Sequence, residues 1–454
     1  MSKLKFKILS LLVVLCSISF FINSCSDSQN VNFAEHVAPI VHKHCTPCHR
    51  VNGGAPFQLM YFHEIRKKAK MISHVTQSGY MPPWPADPNF SHFIGERILS
   101  EIEKKTLKDW YQNGCKMGDT SDINYPQIND MVTQLGKPDL ILPIKKIEVL
   151  NDNRDKFYII KIPYSIAKDT FVSAIEFVPG LPQLVHHMNG HLFQFNNNTN
   201  PFEGNVLADK ESSEFYNQFN ALKLNNSDGS LPYRIHSVVN YLPGTFGVKY
   251  PSDLGGFTMT KNGAYMAYDI HYGPSTKTLI DSSKLYIYYA KEKPKRPTSE
   301  LMLGTNGVAP IEPPLVIPPN KITKHQTQVT IYNDISILTI NPHLHLLGKS
   351  FKAYAIKPNG DTINLIHIPK WQFRWQYFYT FKKPVKVPKG STIIAIADFD
   401  NTTKNPNNPN NPPIQVSERL EFNGASMRTT DEMFQFIITY LPYQKGDENI
   451  ELQP

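Results

Sequence analysis

Two rhythms of hydrophobic and polar positions divide the chain. From about Asn32 to Asp119 apolar residues recur at helical spacing, and from about Gln134 they come in short runs broken by Pro, Gly and Asn. The first stretch predicts helices over Phe33 to Cys45, Tyr61 to Ser78 and Ser100 to Asn113. The third opens with Ser100 and Glu103, spaced so that each side chain can bond the other's backbone N–H, and it stops at Gly114. Ile102, Leu107, Trp110 and Tyr111 are expected on its inward face, with Met60 and Met71 as core fillers.

The second stretch predicts strands over Phe157 to Ile162, Phe171 to Phe177, Tyr265 to His271 and Leu285 to Ala290. After the Lys- and Pro-rich stretch Lys291 to Pro297 a second set follows. It comprises Gln328 to Tyr332, Ile335 to Ile340, Phe351 to Ile356, Ile363 to Ile366, Ile393 to Asp398 and Phe434 to Leu441. Pro358-Asn359-Gly360-Asp361 reads as a hairpin turn, because Asn and Gly accept the positive φ that tight hairpins require. Asn405 to Pro413 is too rich in Asn and Pro for a strand and reads as a surface loop. The parse is a multidomain chain: a small all-α domain over 32–120, then two all-β sandwich domains over 135–295 and 298–454.

Residues 1–24 carry Lys3, Lys5 and Lys7 before an apolar run from Ile8 to Phe21, the pattern of an export signal. That run is shorter than the roughly 20 residues a bilayer-spanning helix needs. Ile22-Asn23-Ser24-Cys25 resembles the cleavage site of a bacterial lipoprotein, which makes Cys25 the expected lipid-bearing terminus; plain secretion with Cys25 free is the other reading. Either way the mature chain is expected in the cell envelope, in the periplasm or at the outer membrane, touching membrane through its anchor alone. The formal charge of +8 loses three lysines with the leader. Arg66-Lys67-Lys68 and Lys104-Lys105 lie among acids on helix faces, and no nucleic-acid motif is present.

Of five cysteines, Cys16 leaves with the leader and Cys25 carries lipid. Cys45-Thr46-Pro47-Cys48-His49 reads as covalent haem attachment: two thiols three apart can each form a thioether to a vinyl group, and the next His can face the iron. A zinc-binding or chance pair is the alternative, disfavoured by the adjoining His49 and the lack of a second such pair. Met81, in the stiff loop Gly79-Tyr80-Met81-Pro82-Pro83-Trp84, is the expected sixth iron ligand, with His74 and His92 as competitors. His42 and His44 flank the motif. Cys115 is left over as a small hydrophobe, so no disulfide is expected.

Within the β-rich part His186-His187, His271 and His343-Leu344-His345 cluster, and Met433 follows. Residues i and i+2 of a strand share a face, so His343 and His345 can address one ion. His186 and His187 would point to opposite faces unless a bulge turns one of them. Imidazole suits copper and zinc alike, and an added thioether favours copper. A blue-copper site needs a Cys thiolate, and the β-rich part has none. His191, His236, His325 and His367 are ordinary histidines in this reading.

Four phrases in order, His186-His187-Met188, His271-Tyr272-Gly273, His343-Leu344-His345-Leu346-Leu347-Gly348-Lys349 and Thr429-Thr430-Asp431-Glu432-Met433, make Pro138 to Pro442 resemble the type II copper, ascorbate-dependent monooxygenases. That family includes peptidylglycine α-hydroxylating and dopamine β-monooxygenases. The resemblance implies two jelly-roll-like sandwiches and two coppers. His186, His187 and His271 would hold the electron-storing copper, and His343, His345 and Met433 the catalytic, dioxygen-binding one. It implies hydroxylation of a C–H bond of a small-molecule substrate. The haem segment resembles cytochrome c domains fused to bacterial relatives, with Met81-Pro82-Pro83-Trp84 as the recurring mark.

A tethered haem would serve as a one-electron donor at about millimolar effective concentration. An ascorbate-like reductant or a respiratory cytochrome would supply it. Two departures bear on the substrate. Asn341 stands where peptide-hydroxylating members carry an Arg, and Ile437 where the family carries a Tyr, so a neutral or apolar substrate is expected. Two other readings stay open: an electron-transfer or copper-binding protein without catalysis, and a sandwich pair that binds carbohydrate or a partner.

Overall fold

A computed structural model describes residues 31–126 apart from 52 and 122, 135–418 apart from 244, 246, 248 and 251–253, and 430–452. The expected leader, Cys25 and Thr429 lie outside the described residues. The described chain forms two compact units, one from 31–51, 57–83 and 97–126, the other from 53–56, 84–96 and everything from 135 onward.

The first unit is helical where the spacing predicts it. A π-helical turn, Phe33–Val37, leads into the helix Ala38–His44, and the helices Phe62–Gln77 and Glu101–Gln112 follow. Asn32 Oδ1 caps the first turn by accepting from the Glu35 N–H at 2.9 Å. At Ser100 the reciprocal cap forms: its Oγ accepts from the Glu103 N–H at 3.2 Å, and Glu103 Oε2 accepts from the Ser100 N–H at 2.7 Å. Gly114, at φ 82, then turns the chain out of the helix. Phe33, Val37, Val41, Ile65, Leu107 and Trp110 make the core.

Two expectations are corrected here. Leu107 and Trp110 are buried, but Ile102 is 78% exposed and Tyr111 is exposed as well. A short helix with one neighbouring face buries only the residues three apart at the centre of its stripe. Met60 fills the core, whereas Met71 is 45% exposed beside the inward stripe of Ile65, Ala69 and Ile72.

The second unit holds two antiparallel sandwiches. In the first, a five-stranded sheet runs Leu207–Asp209, Lys156–Ser165, Asn262–Tyr272, Val185–Gln194, Tyr233–Tyr241. It encloses a common core with the sheet Leu140–Pro143, Lys284–Tyr289, Thr170–Val178, Phe257–Met259. In the second, the sheet Ser299–Gly304, Phe434–Pro442, Ile335–Leu344, Tyr379–Val387 packs on Ile322–Thr330, Thr392–Asp400, Gly348–Ile356, Thr362–Ile368. The predicted strand Gln328 to Tyr332 begins earlier, at Ile322, and its expected end turns to solvent, Tyr332 being 77% exposed. The hairpin turn forms as expected: Lys357 N–H donates to Asp361 O at 2.8 Å, and Gly360 takes φ 88.

The segment Trp84–Glu96 belongs to the second unit. Its Phe93 is buried and bridges to Phe381, and the Trp84 ring lies 5.3 Å from Tyr377. No helix among the described residues is long and apolar enough to cross a membrane.

Candidate metal centres

The strand Val185–Gln194 lies beside Asn262–Tyr272 in the five-stranded sheet. Val185 faces Tyr272 and His187 faces His271, so His186 is the extra residue of a bulge. That insertion removes the alternation which would separate two adjacent histidines. The His186 and His187 rings lie 4.8 Å and 5.1 Å from that of His271. Gly273 makes room, since a Cβ there would meet His186 Nε2 at 2.8 Å.

His271 stacks on Phe157 with ring centroids 4.3 Å apart and planes 10° apart, and its Nε2 meets Asp155 Oδ1 at 2.7 Å. Asp155, His186 and His271 each offer an atom within 4.8 Å of the others, a grouping that omits His187. Burial pushes the His186 imidazole down to about 4, with His271, Arg374 and His187 adding to it. The ring is therefore neutral near pH 7, with a lone pair for a metal. The hydrogen bond from His271 holds the Asp155 carboxyl below its ordinary range.

The second set is built by regular pairing. His343 sits at the end of Ile335–Leu344 and His345 one residue past it, with rings 5.2 Å apart at 83°. On the neighbouring strand His343 faces Gln435 and Leu344 faces Phe434. His345 follows the last paired residue of one strand, and Met433 precedes the first of the other. Opposed residues share a face, so this register puts Asn341 and His343 on one side of the sheet with Ile437 and Gln435. Leu344, Phe434 and Phe436 fill the other side, all buried in the sandwich core. Asn341 faces Ile437 in the same ladder, and its Nδ2 donates to Tyr377 O at 3.1 Å.

Glu432, 1% exposed, ties this end together. Its Oε2 accepts from the His345 N–H at 3.0 Å and the Met433 N–H at 3.3 Å, and Oε1 accepts from the Leu347 N–H at 2.6 Å. Burial pushes its carboxyl up to about 8 in spite of these three donors. His345 Nδ1 lies 2.8 Å from Asp431 O, a pure acceptor, so Nδ1 carries the proton and Nε2 the lone pair. Between the two sets stands Phe373, its ring 6.5 Å from His187 and 6.1 Å from His345, nearly perpendicular to both.

In the first unit Cys45 and Cys48 lie on one tight turn without a disulfide between them, with the Cys48 and His49 N–H groups donating to Cys45 O at 3.1 and 2.9 Å. His49 Nδ1 donates to Phe57 O at 2.9 Å, which leaves Nε2 unprotonated. Burial lowers the His49 pKa and pushes the Cys45 thiol up to about 12. Met81 is partly buried. His74 is exposed, and His92 is exposed beside Glu96 in the second unit.

Asp155 and Glu432 were not singled out by sequence reasoning as functional side chains. Glu432 adjoins Met433 and could have been marked by its place in the Asp-Glu-Met phrase. Asp155 precedes a strand by one residue, and only the register opposite Tyr272 and His271 brings it to the site.

No curated protein matches the chain. A solved structure titled "Structure of infectious bursal disease virus Gt strain" aligns with 72% of this chain and 90% of its own at 11% identity and a TM-score of 0.15, a likeness that carries no fold assignment. Residues 309–408, which include His343 and His345 and end before Met433, match the family model described as copper type II ascorbate-dependent monooxygenase, C-terminal domain, and this supports the type II copper monooxygenase family for the chain.

Proposed function

We propose that the chain is a copper monooxygenase that hydroxylates a C–H bond of a small, neutral or apolar substrate with dioxygen. His186, His187 and His271 hold one copper, and His343, His345 and Met433 the other. Haem on Cys45, Cys48 and His49, with Met81 as sixth ligand, is the one-electron donor, fed by an ascorbate-like reductant or a respiratory cytochrome. The chain is an exported lipoprotein anchored through Cys25. The observation that supports the copper reading is the pair of imidazoles 5.2 Å apart, His343 and His345, within residues that match the family's C-terminal domain.

The donor sets fit. Both are histidine-rich, the second adds a thioether, and no thiolate stands in either sandwich, which suits copper that cycles between its two oxidation states. Bound copper would supply single electrons and the place where dioxygen is reduced.

The protein's own groups do the rest. Asp431 O and Glu432 fix the ring and backbone of His345, so its Nε2 needs no rearrangement to bind. Asn341 and Ile437 put an amide and an apolar side chain opposite each other in the ladder that carries His343, with no guanidinium at position 341 to clamp a carboxylate. Phe373 sets an apolar ring beside one histidine of each set.

The test is incubation of the copper-loaded full chain with ascorbate, labelled dioxygen and a panel of neutral compounds bearing activated C–H bonds. Label in a product alcohol, lost in His343→Ala, is the expected result. Reversible redox cycling with no product from any compound would favour a protein that only carries electrons.

A further inference from the structure

Asp155 and Phe157 lie two apart, where a strand begins, and so share a side; both address one imidazole. Phe157 faces His271 in the ladder and stacks on it at 4.3 Å, which fixes the plane of the ring. Asp155 Oδ1 meets the ring's Nε2 at 2.7 Å, which fixes the ring's remaining freedom, the choice of tautomer. A neutral imidazole has one N–H and one lone pair, and a carboxylate only accepts. The proton must therefore sit on Nε2, and the lone pair on Nδ1.

We propose that Asp155 is the positioning carboxylate of the first metal centre, holding the Nε2–H of His271 so that Nδ1 faces the ion that His186 and His187 share. The inference rests on the copper reading of that centre. It assigns Asp155 a different part from that of a ligand, although its carboxylate lies within 4.8 Å of ring nitrogens of His186 and His271. Two atoms bound to one ion at about 2 Å each, in tetrahedral arrangement, stand roughly 3.3 Å apart. The 2.7 Å between Oδ1 and Nε2 is a hydrogen-bond length and leaves no room for an ion shared by that pair.

An imidazole that donates to a carboxylate is richer in electrons and a better ligand for the more highly charged ion. Asp155 thus tightens the first centre for Cu(II) and lowers its reduction potential. The second centre does this differently, since His345 donates to a neutral backbone carbonyl. The two centres thereby differ in the direction expected when the first gives up an electron to the second.

The experiment uses the full chain in a His343→Ala background, so that Cu(II) titrates the first centre alone. Proton–nitrogen NMR on metal-free protein labelled at histidine reads the His271 tautomer, its signal identified by loss in His271→Gln. The expected result is an Nε2–H tautomer that becomes mixed in Asp155→Ala. Cu(II) affinity should fall about 10- to 100-fold, with the number of coordinated nitrogens in the paramagnetic resonance spectrum unchanged. Asp155→Asn, which keeps an acceptor without charge, should fall between. The Asp155 side chain is 51% exposed, so the fold is expected to tolerate both changes.

An unchanged tautomer and affinity in Asp155→Ala would overturn the proposal. So would complete loss of binding, equal to that of His271→Ala, which would make Asp155 a ligand. If the parent protein binds no Cu(II), the copper reading of this centre fails, while the tautomer still decides whether Asp155 holds His271.

Discussion

The first histidine set depends on a break in its ladder, and the second on the ladder's regularity. His186 and His187 converge because a bulge inserts one residue between the pairs Val185–Tyr272 and His187–His271. His343 and His345 meet because they lie two apart at an end of the ladder that no bulge interrupts, with Met433 just before the facing strand. The supporting groups differ in the same way. A side-chain carboxylate and a stacked ring hold His271, whereas backbone carbonyl and backbone N–H groups hold His345 and its loop, gathered by Glu432. A centre made by a bulge can be adjusted through single side chains. One made by a ladder resists change until the ladder itself gives way.

The largest effect should come from Glu432→Ala. It leaves the buried N–H groups of His345 and Leu347 without their acceptor, and each such orphan costs about 1–3 kcal/mol. Urea unfolding should show a loss of about 2–4 kcal/mol and Cu(II) titration a weakened second site, with the first unaffected. A small loss shared equally by both sites would remove the contrast between them.

The first sandwich buries the opposite charge. Lys161, 2% exposed, donates to Glu203 O at 2.9 Å and Leu222 O at 2.7 Å, and burial pushes its amine down to about 8. A folded value below the unfolded 10.5 means the neutral amine is favoured by folding. Its contribution is therefore fully present above pH 10.5 and lost as pH falls through about 8. Metal-free protein should gain about 2–3 kcal/mol between pH 8 and 10.5 from this group. The gain should vanish in Lys161→Met, as measured by unfolding across that range.

The smallest effect is the most local. Gly273→Ala would press a methyl group against His186 Nε2, which must shift because the backbone cannot. First-site Cu(II) affinity should fall about tenfold, a cost of about 1.4 kcal/mol, with unfolding stability nearly unchanged. A variant that binds as tightly as the parent would show that His186 does not lie where the bulge puts it.

The same contrast explains which parts of the molecule were legible in the sequence. Period two is visible along a chain, so the spacing of His343 and His345 is enough to pair them on one face. A bulge leaves no such trace: the strand Val185–Gln194 went unpredicted because His186, His187, Asn189, Gly190 and His191 interrupt its apolar run. The strand Tyr379–Val387 was hidden in the same way by Lys382, Lys383 and Pro384. The helices were legible because a cap, a stripe and a stop signal agree over Ser100 to Gly114. Asp155 was not legible at all, since it meets His271 only through register across 116 residues of chain.

The most direct test of two separate coppers, one in each sandwich, is metal analysis of the full chain beside His271→Ala, His343→Ala and the double variant, with Cu(II) resonance spectra of each. Two coppers are expected in the parent, one in each single variant with distinct spectra, and none in the double. A parent that holds one copper or none, or single variants that both lose the same signal, would contradict it.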